Sequence, residues 1–224
     1  MNLVELLIEP QPRPGTPNRT RLPVQRRFEC GQAPTLSALR WSEVLEGRRS
    51  VRGMARPRLR DVVEIVALAA RARHRLDASR GDRHLAPALS AGALHAVRPV
   101  VVTLAGPERV FAYDPVEHTV DQLTVRLPGE VLAFRTRVFE CLPAAHGTAL
   151  AFLGDNALAS AAYDHPETLL WRDSGALQQT LAMIAHAEGH AFCALGLHGA
   201  EVARALNLAD GFVALGAAII GRRA

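Results

Sequence analysis

Apolar residues along the chain fall into two kinds of pattern. At Leu59, Val62, Val63, Val66 and Ala70 they recur at helical spacing, while Arg60, Glu64, Arg71 and Arg75 occupy the other face. This periodicity predicts an amphipathic helix over 59–75. Residues 170–188 carry almost no charge after Asp173, which predicts a central, buried helix stopped at Gly189. A short helix is expected over 41–47, ending at Gly47. The other pattern is strand-like. Residues 97–104 and 110–113 are rich in β-branched and aromatic side chains, and Ala105-Gly106-Pro107-Glu108 between them has turn chemistry, so the two form a hairpin. Residues 119–125 alternate and add a third strand. Two further apolar strands are expected at 148–153 and 212–220, the second followed by Arg222-Arg223. With no internal repeat, the sum is an α+β chain.

The first part of the chain reads differently. Pro10, Pro12, Pro14, Pro17 and Pro23 mark an extended arm rather than core. The expected organisation is therefore an arm over 1–38, rich in proline and arginine, and one domain over 39–224.

Composition narrows the class. With 224 residues, 49% of them hydrophobic, the chain can build one sizeable core. Its longest apolar stretches, 176–187 and 212–220, fall short of the ~20 residues that cross a bilayer. Residues 1–10 include Glu5 and Glu9 and no basic segment, so no secretion signal is expected there. Cys30, Cys141 and Cys193 stand far apart, which suits reduced thiols and a cytoplasmic setting. Every strong base is an arginine. The absence of lysine excludes Schiff-base chemistry and a lysine phosphate clamp. Charge is uneven: residues 1–83 hold 17 arginines and 9 acids, and the remainder 9 and 13. The arginines are not interleaved with aromatics, which argues against nucleic-acid binding and for a ligand phosphate beside a solvated basic face.

Four segments can carry chemistry. Arg48-Arg49-Ser50-Val51-Arg52 places three guanidiniums and a hydroxyl within reach of one phosphate, for which arginine offers forked donors. Leu89-Ser90-Ala91-Gly92-Ala93-Leu94-His95 precedes a strand, and its small residues let a flat ring approach the backbone. A third segment, 171–179, opens the buried helix. The fourth spans 189–199 and is followed by the last strand. His186 and His190 are four apart, but Gly189 interrupts the helix between them, and no metal site is expected. No GxSxG, P-loop or GxGxxG is present.

In this order the segments resemble the nitroreductase superfamily. There, an RRSxR segment meets the phosphate of FMN, S-x-G-x-L-H leads into a strand beside the isoalloxazine, aG-x-x-x-Q opens a helix, lG-x-x-x-c-x-x-G follows, and an apolar strand ends in a basic tail. The corresponding residues here are 48–52, 90–95, 175–179, 189–196 and 212–223. The resemblance covers about residue 40 onward. His95 and the hairpin carrying Tyr113-Asp114-Pro115 look most like the SagB-type branch, which includes azoline oxidases acting on ribosomal and nonribosomal peptides. It implies a mainly antiparallel central sheet flanked by helices, an intertwined homodimer, and contacts with other enzymes of a biosynthetic pathway.

It also implies site residues. Arg48, Arg49, Ser50 and Arg52, with Arg222 and Arg223, would hold the FMN phosphate. Ser90, Ala91, Gly92, Leu195 and Gly196 would seat the ring, and Tyr163 or His95 would handle a proton. The branch carries a Lys-Tyr pair before the aG helix, whereas this sequence has Ala161-Ala162-Tyr163. Alanine also follows His95, where proline is common, and Gln179-Thr180 replaces a Gln-Asn pair. The implied activity is FMN-dependent dehydrogenation of a peptide-derived natural product. An NAD(P)H-dependent nitro or quinone reductase and a non-catalytic scaffold of the same fold are the alternatives.

Overall fold

A computed structural model describes residues 8–144 and 146–223. The start of the chain, on which the reading of no secretion signal rests, lies largely outside the described residues. In chain order the elements begin with β1 (Gln11–Pro12), β2 (Val24–Glu29), α1 (Trp41–Gly47), β3 (Met54–Ala55) and α2 (Leu59–Ala70). Next come β4 (His74–Arg75), β5 (His84–Leu85), β6 (Val97–Val102), β7 (Val110–Asp114) and β8 (Thr119–Leu123). Then follow α3 (Pro128–Cys141), β9 (Thr148–Asp155), α4 (Asn156–Ala162), β10 (Tyr163–Asp164) and α5 (Glu167–Ala187). The last are β11 (His190–Leu195), α6 (Ala200–Ala205) and β12 (Phe212–Arg223).

The main sheet runs β11-β12-β9-β6-β7-β8-β2, with β3 also paired to β12, and every ladder is antiparallel. Its two faces carry separate cores. Strand alternation sends Leu150 and Phe152 of β9 to the face that holds α2 and α5, and Ala149, Ala151 and Leu153 to the face that holds α3 and α6. A central strand buried on both faces reads as a continuous apolar run, as 148–153 does. The result is three layers, helices over sheet over helices. Among the described residues no helix is long and apolar enough to cross a membrane.

The expected elements appear with adjusted ends. The helix predicted over 59–75 stops at Ala70. Beyond it, Ala72 donates to the Pro115 carbonyl, and His74-Arg75 pair with His84-Leu85. The 97–104 and 110–113 hairpin forms as β6 and β7. The central helix starts three residues early, at Glu167, and Gly189 after it adopts φ +72°. The last strand extends through both terminal arginines. Three helices lacked a prediction. Of these, α3 begins with proline at its first turn and buries Val131, Phe134 and Val138, three and four residues apart.

The proline-rich segment lies along its own chain. Gln11 and Pro12 pair with Asp164 and Tyr163, and Arg13 donates to the Ala162 carbonyl. Farther on, Val24–Glu29 joins β8 as the edge strand of the main sheet.

Candidate functional site

Most of the residues singled out in the sequence gather at opposite ends of α5 and β11. At one end are the basic segments. Arg48 follows α1, and Ser50 forms an isolated parallel bridge with Phe192 on the outer edge of β11, where Val51 donates to the Phe192 carbonyl at 3.1 Å. On the other side of β11, His190 lies opposite Arg222 of β12. The Arg223 guanidinium donates to His186 Nδ1, and a Cβ on Gly47 would come within 2.6 Å of the same imidazole. Thus the end of α1, the end of α5 and the end of β12 converge on His186. None of Arg48, Arg49, Arg52, Arg222 and Arg223 pairs with a carboxylate among the described residues.

The other end holds the Ser90–His95 turn. Asp173, in the first half of α5, accepts a 2.5 Å bond from the Ser90 hydroxyl and bonds of 3.1 Å from the Ala91 amide. Ser90 Oγ in turn accepts from the His95 amide at 2.9 Å. Burial raises the Asp173 carboxyl, against the lowering effect of the Ser90 and Ala91 bonds. Gly92 takes φ +55°, and a Cβ there would meet the Tyr163 hydroxyl and an Arg83 guanidinium nitrogen, each at 2.5 Å. Arg83 also donates to the Gly92 carbonyl at 2.6 Å. Glycine at 92 therefore lets Tyr163 and Arg83 close on the turn. Leu195 and Gly196 end β11 at this same end, where Trp171 of α5 meets His198 edge to face at 6.0 Å. The sequence alone assigns no role to Asp173 or Arg83. The position of Asp173 just before the aG helix start was the only local signal for it.

The separation follows from helix geometry. Asp173 and His186 are 13 residues apart on α5, about 20 Å at ~1.5 Å per residue. The donors at the basic end suit a phosphate, and the small residues at the glycine end suit a flat ring. Exposed Gly196 and half-buried Ala91 leave room at that end for a flat ring. The residues present fit FMN.

His95 itself turns into a cavity of about 730 Å³ shared with Ser90, Asp173, Arg19 and Arg98. The cavity exists because β6 and β7 separate. Their ladder begins only at Val100, immediately after Pro99, which has no N–H to offer. His95 stacks on His84 with ring centroids 4.5 Å apart. Burial, then the Arg19 charge, pushes His95 down to about 4, and burial with Arg19 and His95 pushes His84 down to about 3. Both are neutral imidazoles at neutral pH, consistent with the Arg19 guanidinium donating to His84 Nδ1 at 2.9 Å. An unfolded chain, with ordinary histidines, takes up protons first as pH falls. Stability is therefore full above about pH 6.5 and falls as the pH drops toward 4. His84→Gln should flatten this decline in melting temperature, and an unchanged slope would show that His84 stays solvated.

No protein-family model matches this sequence, and no curated protein does. Solved structures do. A protein from Ralstonia eutropha assigned as a nitroreductase superposes with a TM-score of 0.64 at 16% identity, over 97% of this chain and 99% of its own. The Escherichia coli microcin synthetase McbBCD complex, with truncated pro-MccB17 bound, contains a chain that matches at TM-score 0.54 and 13% identity, over 87% of this chain and 77% of that one. A protein from Exiguobacterium sibiricum assigned as a nitroreductase and solved with FMN matches at 0.52 and 15%, over 84% and 90%. Three layers around one antiparallel sheet, with this topology and these structural matches, give the chain the nitroreductase fold.

Proposed function

We propose that this chain is an FMN-dependent oxidoreductase, a dehydrogenase or oxidase that tailors a peptide-derived natural product. The observation that carries the reading is the pairing of two half-sites at the two ends of α5. Arg48, Arg222 and Arg223, unpaired with any carboxylate among the described residues, stand at one end, and a glycine turn pinned by Asp173 stands at the other. In this reading Arg48, Ser50, Arg52 and the Arg222-Arg223 pair hold the phosphate, with Arg49 beside them. Ser90, Ala91, Gly92, Leu195 and Gly196 seat the ring. Bound FMN supplies hydride transfer. The protein's own task is to place the substrate and move a proton, for which Tyr163 is the leading residue and His95 the second.

The microcin synthetase similarity and the Tyr163 hydroxyl beside the turn support peptide tailoring over general reduction. One observation favours the second reading, an NAD(P)H-dependent nitro or quinone reductase. The branch's lysine is replaced by Ala162, which is buried at 1% exposure and brings no cation to Tyr163. Turnover of a nitroaromatic with NADH or NADPH, and none of an azoline peptide, would decide for it.

The reading also includes a homodimer in the cytoplasm, with contacts to other pathway enzymes. On α1, Trp41 is 62% and Leu45 53% exposed, an apolar face suited to a second copy.

The purified protein should be yellow, with flavin absorbance near ~450 nm, and FMN should be released on denaturation. Arg48→Ala and Arg52→Ala should each weaken FMN binding by about 10- to 100-fold, since a charge-assisted bond contributes roughly 1.5–3 kcal/mol. Arg52→Lys should restore only part of it, because lysine lacks the fork. Light scattering of the same sample should give twice the chain mass. A colourless protein that takes up no FMN in titration would leave the scaffold reading standing.

A further inference from the structure

The cavity beside His95 is lined by as many arginines as carboxylates, five of each, yet not every guanidinium in it is paired. Arg19, from the proline-rich segment, reaches into it with no carboxylate at ion-pair distance among the described residues. Among the described residues its side-chain bonds go only to the neutral ring of His84. The Nε atoms of Arg19 and Arg98 are both buried and have no hydrogen-bond partner among the described residues. A buried guanidinium left short of partners is costly, and native proteins rarely retain one without use. Burial, then the neighbouring Arg98 charge, pushes Arg19 down to about 10, against the raising effect of Asp114, Asp82 and Asp155.

The surroundings limit what that anion can be. Arg98 is already committed to Asp155 at 2.9 Å, and of the lining arginines that have no ion pair among the described residues, Arg19 is the one with a buried, unpartnered nitrogen, while Arg21 and Arg75 are exposed. Asp82 accepts from the Arg19 amide at 2.9 Å, and Asp114, Glu117, Asp173 and the Arg27-paired Asp121 also line the cavity. These carboxylates oppose a dianion but tolerate a single negative charge held against the guanidinium. The remaining wall includes Leu22, Ala88, Val97 and Leu177, which suit an apolar body. That wall leads to Ser90 and His95, at the end of α5 where the ring is proposed to sit.

We propose that this cavity binds a carboxylate-bearing small molecule, with Arg19 taking the carboxylate and the apolar wall directing its body toward His95. This names a substrate class for the oxidoreductase proposed above and rests on that reading for the chemistry, though not for the binding. The proline-rich segment then has a definite task. Its pairing with β10 and the Asp82 amide contact hold Arg19 at the cavity mouth, so substrate selection is supplied by residues that precede the sheet.

Benzoate and its neutral isostere benzamide test the idea on the full-length protein as purified. Benzoate should raise the melting temperature in proportion to its concentration, as a ligand of the native state does, and benzamide should bind at least tenfold more weakly. Arg19→Gln should lose the benzoate response while keeping the flavin absorbance of the parent. Benzamide equal to benzoate, an unaltered benzoate response in Arg19→Gln, or loss of flavin together with benzoate binding would each overturn the proposal. Should Arg19→Gln lose its cooperative melting transition, Arg19→Lys replaces it: benzoate binding weakened about fivefold or more supports the fork, and unchanged affinity overturns it. A colourless protein that still discriminates benzoate from benzamide would keep the cavity assignment and remove the flavin reading, so the two can fail separately.

Discussion

Tyr163→Phe should leave FMN bound and slow turnover of the natural substrate by about 10²- to 10⁴-fold, the usual contribution of a positioned proton donor or acceptor. The phenyl ring preserves packing. Tyr163 caps α4, pairs with Pro12 and touches the large core on the α5 side of the sheet, none of which needs the hydroxyl. Only the group aimed at Gly92 is lost. Flavin content from the absorbance spectrum, together with steady-state kinetics, separates the outcomes. Turnover within a few-fold of the parent would reduce Tyr163 to packing and move attention to His95, whose neutral imidazole faces the cavity.

Asp155→Ala should cost about 3–5 kcal/mol of unfolding free energy, the usual penalty for leaving a buried ion unpaired. Asp155 is fully buried and accepts from Arg98 at 2.9 Å, from the Thr20 amide at 2.8 Å, from the Thr20 hydroxyl at 2.7 Å and from the Leu158 amide at 3.1 Å. One carboxylate therefore neutralises Arg98, caps α4 and ties down the proline-rich segment. Asp155→Asn should cost less, because the amide oxygen still accepts while the charge is lost. A lower urea midpoint with an unchanged slope would report the loss. Release of Thr20 should also expose Arg19 and Arg21 to trypsin. A loss below about 1 kcal/mol would mean that water replaces the carboxylate and that the cluster is not a closed one.

Much of this architecture was legible in the sequence, and the gaps have physical causes. Elements that bury one stripe or both faces announce themselves by periodicity, as α2, α5, β9 and β12 do. β2 does not. Its sequence, Val-Gln-Arg-Arg-Phe-Glu, is exposed at every position and is held by its ladder to β8, so no burial pattern existed to be read. The basic edge and the Ser90–His95 turn were visible as local clusters. Their partners were not, because Asp173, Arg83 and Arg19 become neighbours of the turn only through the tertiary fold. Pro99 hid in the same way: within a β-branched run it reads as a flaw in a strand, whereas it marks where two strands part.

The place of β12 bears on how the molecule is made. It is the last element in chain order, yet it lies between β11 and β9 and also takes β3 on its flank. Everything it pairs with is synthesised earlier. On the ribosome, β9 and β11 must therefore wait with open edges until Phe212–Arg223 emerges, exposing the kind of unpaired strand that invites misassembly. Chaperone demand should be greatest in that interval. The same strand delivers Arg222 and Arg223, so the basic end of the proposed site is completed in the step that closes the sheet, and a nascent chain stalled before it would have neither a finished core nor the proposed place for a phosphate.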